Sequence, residues 1–170
     1  MNSRGDHLFL APRARELIVQ LGLDAHPEGG YFRRIHASEV EVVPGDKRGT
    51  RSALSIIYYL LVEGAYSRWH RVESDEVWHY VEGACLELFL ASPQGGKIDS
   101  CTLGPIDAAS TSLHVIPARW WQAAQPEGPY TLFSCTVGPG FAYEDFVLLS
   151  DLPEGQRPHF LDSKLLERFL

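Results

Sequence analysis

His70 and Glu76 are the two residues of this chain whose types and spacing best suit chemistry. Both lie between Gly64 and Gly83, in a segment rich in β-branched and aromatic residues. A carboxylate beside an imidazole fixes the tautomer of the ring and raises its pKa, so the pair could move protons. The same two side chains are also common metal ligands. The pair therefore predicts acid–base chemistry or a metal site, and a buried polar couple without chemistry is the third interpretation.

Strand alternation predicts which side chains share a face with His70 and Glu76. Successive side chains of a strand point to opposite faces, so residues two apart point the same way. The expected inward set is Arg68, His70, Glu76, Trp78, Tyr80, Trp120 and Gln122. Polar groups that converge between aromatic walls are typical of a small-molecule pocket.

Each member of this predicted pocket has an expected role. His70 is the base, paired with Glu76, and Tyr80 or Tyr58 is the opposing acid. Arg68 is expected to anchor a carboxylate or phosphate, because a guanidinium group pairs with either. The further expected ligand contacts are Trp78, Trp120 and Gln122.

The elements that position these residues are mostly short strands. Residues 31–149 hold runs of β-branched and aromatic residues separated by turn residues at nearly regular intervals, which predicts an all-β sandwich or barrel. One helix is expected before the strands, from Pro12 to a C-terminal cap at Gly22. A short helix capped by Asp162 is expected after them. No repeat or linker divides the chain, so we predict one domain over residues 1–170.

Composition limits the partners. The net charge of −7 and the absence of a basic block exclude nucleic acid as an expected partner. The longest apolar run, Ala53 to Val62, is about half the length of a membrane helix, so no membrane span is expected. Three widely spaced cysteines read as small buried residues in a reducing compartment, and we expect a cytoplasmic protein.

Two motifs resemble those of the cupin superfamily. The first is G-x5-H-x-V-x3-E-x6-G from Gly64 to Gly83, and the second keeps the proline of its motif at Pro117. Three strings, HPEGGYF (26–32), SDEVWH (74–79) and CTVGPGF (135–141), resemble one small-cupin family of unknown function. The resemblance implies a cupin double-stranded β-helix, or jelly-roll, barrel with its core at about residues 28–150. The two predicted helices flank that barrel.

The resemblance also bears on metal binding. Val72 stands where metal-binding cupins have their second histidine, and Gln122 stands at the third. Only His70 and Glu76 remain as ligands, so no cofactor is expected, and a divalent metal held by those two residues is the alternative. The expected layout is similar to that of metal-free, RmlC-like keto-sugar 3,5-epimerases, in which histidine is the base and tyrosine the acid.

Three functions follow as hypotheses. The first is a metal-free isomerase or epimerase acting on a small polar, anionic or carbohydrate-like metabolite. The second is a non-catalytic small-molecule binding module. The third is a metal-dependent cupin oxygenase or isomerase.

Two features outside the pocket carry further predictions. In the HPEGGYF string, Gly29 and Gly30 are expected to provide a turn, with Tyr31 or Arg33 at the mouth of the cavity. His79 is expected to face outward, into a subunit contact or the N-terminal segment. We predict a homodimer because outward apolar residues would otherwise be exposed: Val77, Val81 and Trp121.

Overall fold

Helix α1 (Pro12–Leu21) precedes the sheets in this computed structural model, which describes residues 10–26 and 29–170. Pro12 stands in the first turn, and Gly22 ends the helix with a left-handed φ of 61°. Ala14 and Leu17 are buried against Leu60 and Leu132 on the outer face of the first sheet. The predicted N-terminal helix is confirmed, with Pro12 in its first turn and Gly22 as its C-terminal cap.

The strands form two six-stranded sheets and one small hairpin. The first sheet has the order β1 (Asp24–Ala25), β2 (Tyr31–Ala37), β5 (Ser55–Val62), β12 (Tyr130–Gly138), β7 (Asp75–Gly83) and β10 (Leu113–Ile116). The second has the order β13 (Phe146–Leu148), β6 (Ser67–Val72), β11 (Trp121–Pro126), β8 (Leu86–Ser92), β9 (Gly95–Leu103) and β14 (His159–Phe160). Strands β3 (Glu41–Val42) and β4 (Arg51–Ser52) pair as a hairpin. The paired strands of the two main sheets are antiparallel, apart from the parallel pair β9 and β14.

The space between the two sheets is filled at one end. Trp78 and Phe133 stack with their ring centroids 4.6 Å apart, and Leu86, Leu88 and Leu103 pack around them. Beyond Trp78 and Tyr59 the interior opens into a cavity. The all-β jelly-roll prediction is confirmed, and the barrel core leaves room for a ligand at its other end.

The C-terminal segment covers the outer face of the second sheet. Helix α2 (Ser163–Arg168) begins at Asp162, whose carboxylate accepts a hydrogen bond from Leu165 N at 2.9 Å, as predicted. Phe169 and Phe160 pack against Trp69 and Trp121. Trp121 is therefore only 1% exposed, and the prediction that it contributes to an exposed subunit contact is wrong.

Turns in the two motifs have the backbone that the sequence indicates. Gly29 and Gly30 have φ of 114° and 69°, and a Cβ on Gly30 would lie 2.5 Å from the Leu60 carbonyl oxygen. Pro27 and Glu28 of the same string lie outside the described residues. Arg119, two residues after Pro117 of the second motif, has a φ of 70° and donates to Glu73. Within the described residues, no helix combines the length and apolar character that crossing a membrane requires.

Candidate functional site

The cavity has a volume of about 290 Å³ and opens at one end of the interior. Strands β2, β5, β12 and β7 of the first sheet form most of its wall, and β6 and β13 of the second sheet face them. Its aromatic and aliphatic lining is Phe32, Ile57, Tyr59, Val72, Trp78, Val137, Phe141 and Phe146. Its polar lining is Asp24, His26, Arg33, Arg34, Ser55, His70, Glu76, Cys135 and Tyr143.

His70 enters the cavity from β6 next to a β-bulge. The pairing of β6 with β11 shifts between Ser67 and His70, so that Ser67 and His70 are both buried. His70 Nδ1 donates a hydrogen bond to the Arg68 carbonyl oxygen at 2.8 Å. With the proton on Nδ1, Nε2 is the basic nitrogen of the neutral ring. Burial lowers the pKa of His70, and the negative charge of Glu76 opposes that shift only in part.

Glu76 reaches the cavity from β7, in the opposite sheet. Strands β6 and β7 pair with other strands and meet only through the turn that joins them. Glu76 is 6% exposed, and its Oε2 accepts a hydrogen bond of 2.7 Å from the Gln122 side-chain amide. Gln122 is fully buried, directly beside His70 in the pairing of β11 with β6. His70 and Glu76 therefore line the inner end of the cavity, whereas Gln122 is buried behind them and does not line it, so the predicted ligand contact at Gln122 is wrong.

Two arginines stand at the rim. Arg34 lies on the inner face of β2, opposite Ile57, and its side chain is exposed at the opening. Arg33 also lines the opening, as predicted, and its guanidinium donates to the Leu21 carbonyl oxygen at 2.9 Å. Asp24 is the carboxylate at the same rim. The described rim thus holds two guanidinium groups against one carboxylate.

His26 lines the cavity although the sequence offered only a backbone reason for its motif. Its ring centroid lies 4.5 Å from that of Phe32 and 4.7 Å from that of Tyr59. Its backbone N–H donates to the Gly30 carbonyl, and the Tyr59 hydroxyl donates to the Gly29 carbonyl at 2.8 Å. The HPEGGYF turn therefore holds an imidazole against the aromatic wall.

The segment after the CTVGPGF string covers another side of the cavity. Phe141 and Phe146 line the wall, and Phe141 N donates to Ser55 Oγ at 2.9 Å. Asp145 anchors the segment because it accepts hydrogen bonds from Arg51 and Arg48. These contacts, with the Arg51 guanidinium first among them, hold the pKa of Asp145 below its ordinary value.

Several predicted pocket residues lie away from the cavity. Tyr80 was expected in the cavity, but it pairs with Phe133 beyond Trp78, at the filled end of the interior, and its hydroxyl donates to Gly83 O at 2.7 Å. Arg68 does not share the face of His70 because the bulge in β6 interrupts the alternation. Trp120 precedes β11 and packs against the filled end of the interior. The prediction that these three residues line the cavity is wrong.

Three other residues occupy outer positions. Tyr31 packs beside α1 and not at the mouth. Tyr58 belongs to the same outer cluster, so it faces away from His70. His79 pairs with Ser134 and Leu113 on the outward face, as expected.

The residues present do not fit a tightly held catalytic metal. Such a site takes at least three protein ligands. Val72 lines the cavity where a second histidine would coordinate, and Gln122 turns its amide toward Glu76. Over residues 10–26 and 29–170, no three His, Cys, Asp or Glu side chains are grouped as metal ligands.

Comparison with known families identifies the chain. Residues 15–149 match the family described as Cupin superfamily (DUF985), which is most of the sequence. The chain belongs to this cupin family. The match does not single out the three strings noted above, so their value as family markers stays a prediction. No curated protein matches this cupin.

Solved structures share the architecture of this cupin. Protein SO0799 from Shewanella oneidensis is 32% identical over 79% of this chain and 83% of its own, with a TM-score of 0.72. A hypothetical protein from Leishmania major is 25% identical over 92% of this chain and 97% of its own, with a TM-score of 0.79. Oxalate decarboxylase from Bacillus subtilis is 17% identical with a TM-score of 0.55, and this chain spans 32% of it. That last likeness concerns the fold alone.

Proposed function

We propose that this cupin binds a small anionic metabolite of the cytoplasm in its barrel cavity, and that His70 acts there as a metal-free general base. The observation that carries the proposal is the state of His70. Burial lowers the pKa of its ring, which favours the neutral imidazole, and the hydrogen bond from Nδ1 to Arg68 O leaves Nε2 as the basic nitrogen. The guanidinium groups at the rim suit an anionic ligand, and the neutral imidazole suits the removal of a proton from one of its carbon atoms.

The proposed reaction is the isomerisation or epimerisation of a carbon next to a carbonyl group. His70 Nε2 takes the proton from that carbon, and the electron pair of the broken C–H bond moves toward the carbonyl oxygen. Glu76 stabilises the imidazolium that results, and Gln122 holds Glu76 in place. Return of a proton to the carbon completes the change. His26, the second imidazole on the wall, takes the place that Tyr80 was predicted to fill as the opposing acid.

A non-catalytic binding module is the second candidate function. It is favoured by the hydrogen bond between Gln122 and Glu76, which already occupies one oxygen of the carboxylate at the inner end. Under this alternative the same anion binds, and no proton leaves its carbon.

The experiment combines native mass spectrometry with proton exchange. The protein, purified without denaturation, is expected to release a small anion, which is then incubated with fresh protein in D2O and followed by NMR. We expect deuterium at one carbon of the anion with wild-type protein and a loss of about 10²–10⁴-fold with His70→Gln. His159→Gln, on the exposed face of β14, is the matched control and should exchange at the wild-type rate.

The outcomes separate the candidates. Binding without exchange by wild-type protein would support the binding module. Equal exchange by wild-type and His70→Gln protein would remove His70 from the reaction. One tightly bound metal ion per chain, found by elemental analysis and lost in His70→Gln, would establish the metal-dependent alternative.

A further inference from the structure

The strand register gives the cavity two chemically different ends. One row across the inner face of the first sheet runs through Arg34, Ile57, Cys135 and Trp78, each the pairing partner of the next. Neighbouring strands are about 4.8 Å apart, so about 14 Å separates the backbone of Arg34 from that of Trp78. Glu76 lies two residues from Trp78 on the same strand, and His70 faces it from the other sheet. The cation at the rim and the proton-transfer pair therefore stand at opposite ends of the row.

The wall between these ends is apolar. Ile57, Cys135 and Val137 occupy the first sheet between Arg34 and Glu76, and Phe141 and Phe146 enclose the same space. Two of the three hydroxyl groups that line the cavity are already hydrogen-bonded to backbone, because Ser55 Oγ accepts from Phe141 N and Tyr59 OH donates to Gly29 O; the third belongs to Tyr143, which is 70% exposed. A ligand hydroxyl placed here would lose hydrogen bonds to water and find few in return.

The charge of Arg34 supplies the third observation. The other arginines near the cavity are engaged: Arg48 and Arg51 bind Asp145, and Arg33 binds the Leu21 carbonyl. Arg34 makes no ion pair or hydrogen bond with the described part of the chain, although Asp24 shares its rim. A planar guanidinium in this position suits a carboxylate, which it can bind through two parallel hydrogen bonds.

We propose that the ligand is a small carboxylic acid with an apolar body. Its carboxylate binds Arg34 at the rim, its body lies between Ile57 and Phe146, and its far end reaches His70 and Glu76. This inference rests on the proposed function, because it names the class of anion that the same cavity takes. It replaces the carbohydrate-like ligand predicted from the sequence with one whose middle carries no hydroxyl groups.

Three probes of similar size test the two parts of the proposal. They are 3-phenylpropionate, its neutral amide 3-phenylpropionamide, and glucuronate, which has the same charge but a hydroxylated body. Binding to the full chain is measured by calorimetry and by NMR line broadening of each probe. We expect 3-phenylpropionate to bind at least about tenfold more tightly than either of the others, a difference of about 1.4 kcal/mol.

Two variants test whether Arg34 binds the carboxylate of the probe. Arg34→Gln should lower the affinity for 3-phenylpropionate about tenfold and leave the affinity for the amide unchanged. Arg15→Gln, on the exposed side of α1, should bind all three probes like wild-type protein. An unchanged affinity of Arg34→Gln for 3-phenylpropionate would overturn the assignment of the carboxylate to Arg34, and so would equal affinities of the wild type for acid and amide.

The body of the ligand is tested separately from the proposed function. Glucuronate that binds as tightly as 3-phenylpropionate, and loses affinity in Arg34→Gln, would overturn the apolar body and leave anion binding in the cavity intact. No measurable affinity for 3-phenylpropionate in the millimolar range would also overturn the inference. The proposed function has a separate test: it fails if the anion released by the purified protein shows no proton exchange that depends on His70, whatever the three probes show.

Discussion

At the scale of single residues, the buried His70 makes the stability of the fold depend on pH. Burial places the pKa of its ring below the ordinary value of 6.5 in the folded protein, while the ring titrates normally in the unfolded chain. Below about pH 6.5 the unfolded state therefore binds more protons than the folded state. The contribution of His70 to the free energy of unfolding is fully present above that pH. It is lost as the pH falls from there toward the folded-state pKa.

We expect the free energy of unfolding to decrease between about pH 6.5 and pH 5 in wild-type protein, and less steeply in His70→Gln. Urea unfolding at several pH values measures it. His114, whose pKa burial also lowers, contributes in the same direction, so part of the slope remains. The carboxylates of Asp145 and Glu82 have lowered pKa values, so their protonation decreases the free energy of unfolding only under more acidic conditions. Identical slopes for both proteins would show that His70 is not buried as a neutral ring.

Gln122 carries a second prediction at this scale. Gln122→Leu removes the donor to Glu76 and leaves a buried carboxylate oxygen without it, so we expect a loss of about 1–3 kcal/mol in unfolding free energy. Gln125→Leu is a matched control, because Gln125 donates to Glu87 at 2.8 Å from the same strand in a partly exposed position. Urea unfolding compares the two. A loss in Gln125→Leu as large as that in Gln122→Leu would contradict a special role for the buried pair.

Sequence reasoning at this scale succeeded where strand alternation is regular. The spacing around His70 and Glu76 places both in the cavity, together with Trp78. It failed at Arg68, because a β-bulge adds a residue to β6 between Ser67 and His70. It failed at Tyr80 because that residue, although regular in alternation, lies beyond Trp78 opposite Phe133, where the interior is filled. No local pattern marks the bulge or the depth at which the cavity ends, because both depend on strands that are far apart in the sequence.

At the scale of elements, the turn that carries His26 depends on two glycines. Gly30→Ala would place a Cβ 2.5 Å from the Leu60 carbonyl at a φ of 69°, so we expect a loss of about 1–3 kcal/mol in stability. Because the turn holds His26 against Phe32, ligand binding should weaken too. Gly45→Ala, with open space around its Cβ, is the control. Thermal unfolding that is unchanged in Gly30→Ala would show that the turn has room to relax.

The same elements show what the sequence could not assign. The strings HPEGGYF and CTVGPGF stood out, yet only the fold shows that His26, Phe141 and Phe146 from these two regions face one cavity. Arg34, to which we assign the role predicted for Arg68, lies at the opening because β2 pairs with β5 there. Such a placement depends on pairing between distant strands, which residue types and spacing alone do not determine.

At the scale of the whole molecule, the outer face of β7 and β10 is the surface we propose for a homodimer. Strand β10 is an edge of the first sheet, and Val81, Leu113 and Val115 are 45%, 46% and 51% exposed beside Val77. The four side chains carry no charge, so two acidic molecules can meet there without direct repulsion. An edge strand that pairs antiparallel with its own copy also satisfies two-fold symmetry.

We expect light scattering to show a dimer for wild-type protein at micromolar concentration. Leu113→Lys should be monomeric, because the symmetric contact would bury two like charges. Val19→Lys, at an 81% exposed position on α1, should remain dimeric. A monomeric wild type would refute the proposed contact, and a dimeric Leu113→Lys would place the interface elsewhere.

The three buried tryptophans of the four lie in two compartments, so tryptophan fluorescence can report on each compartment separately. Trp78 lies on the cavity wall, stacked on Phe133, whereas Trp69 and Trp121 lie under the C-terminal helix. A ligand that fills the cavity should change the fluorescence of Trp78 and leave the other two buried indoles emitting as before. Loosening of the helix should instead shift the emission of Trp69 and Trp121 to longer wavelength. Comparison of the emission spectra of wild-type protein and Trp78→Phe would separate the two signals. The contribution of Trp78 reports whether a ligand occupies the cavity, and that of Trp69 and Trp121 reports whether the C-terminal helix stays packed on the second sheet.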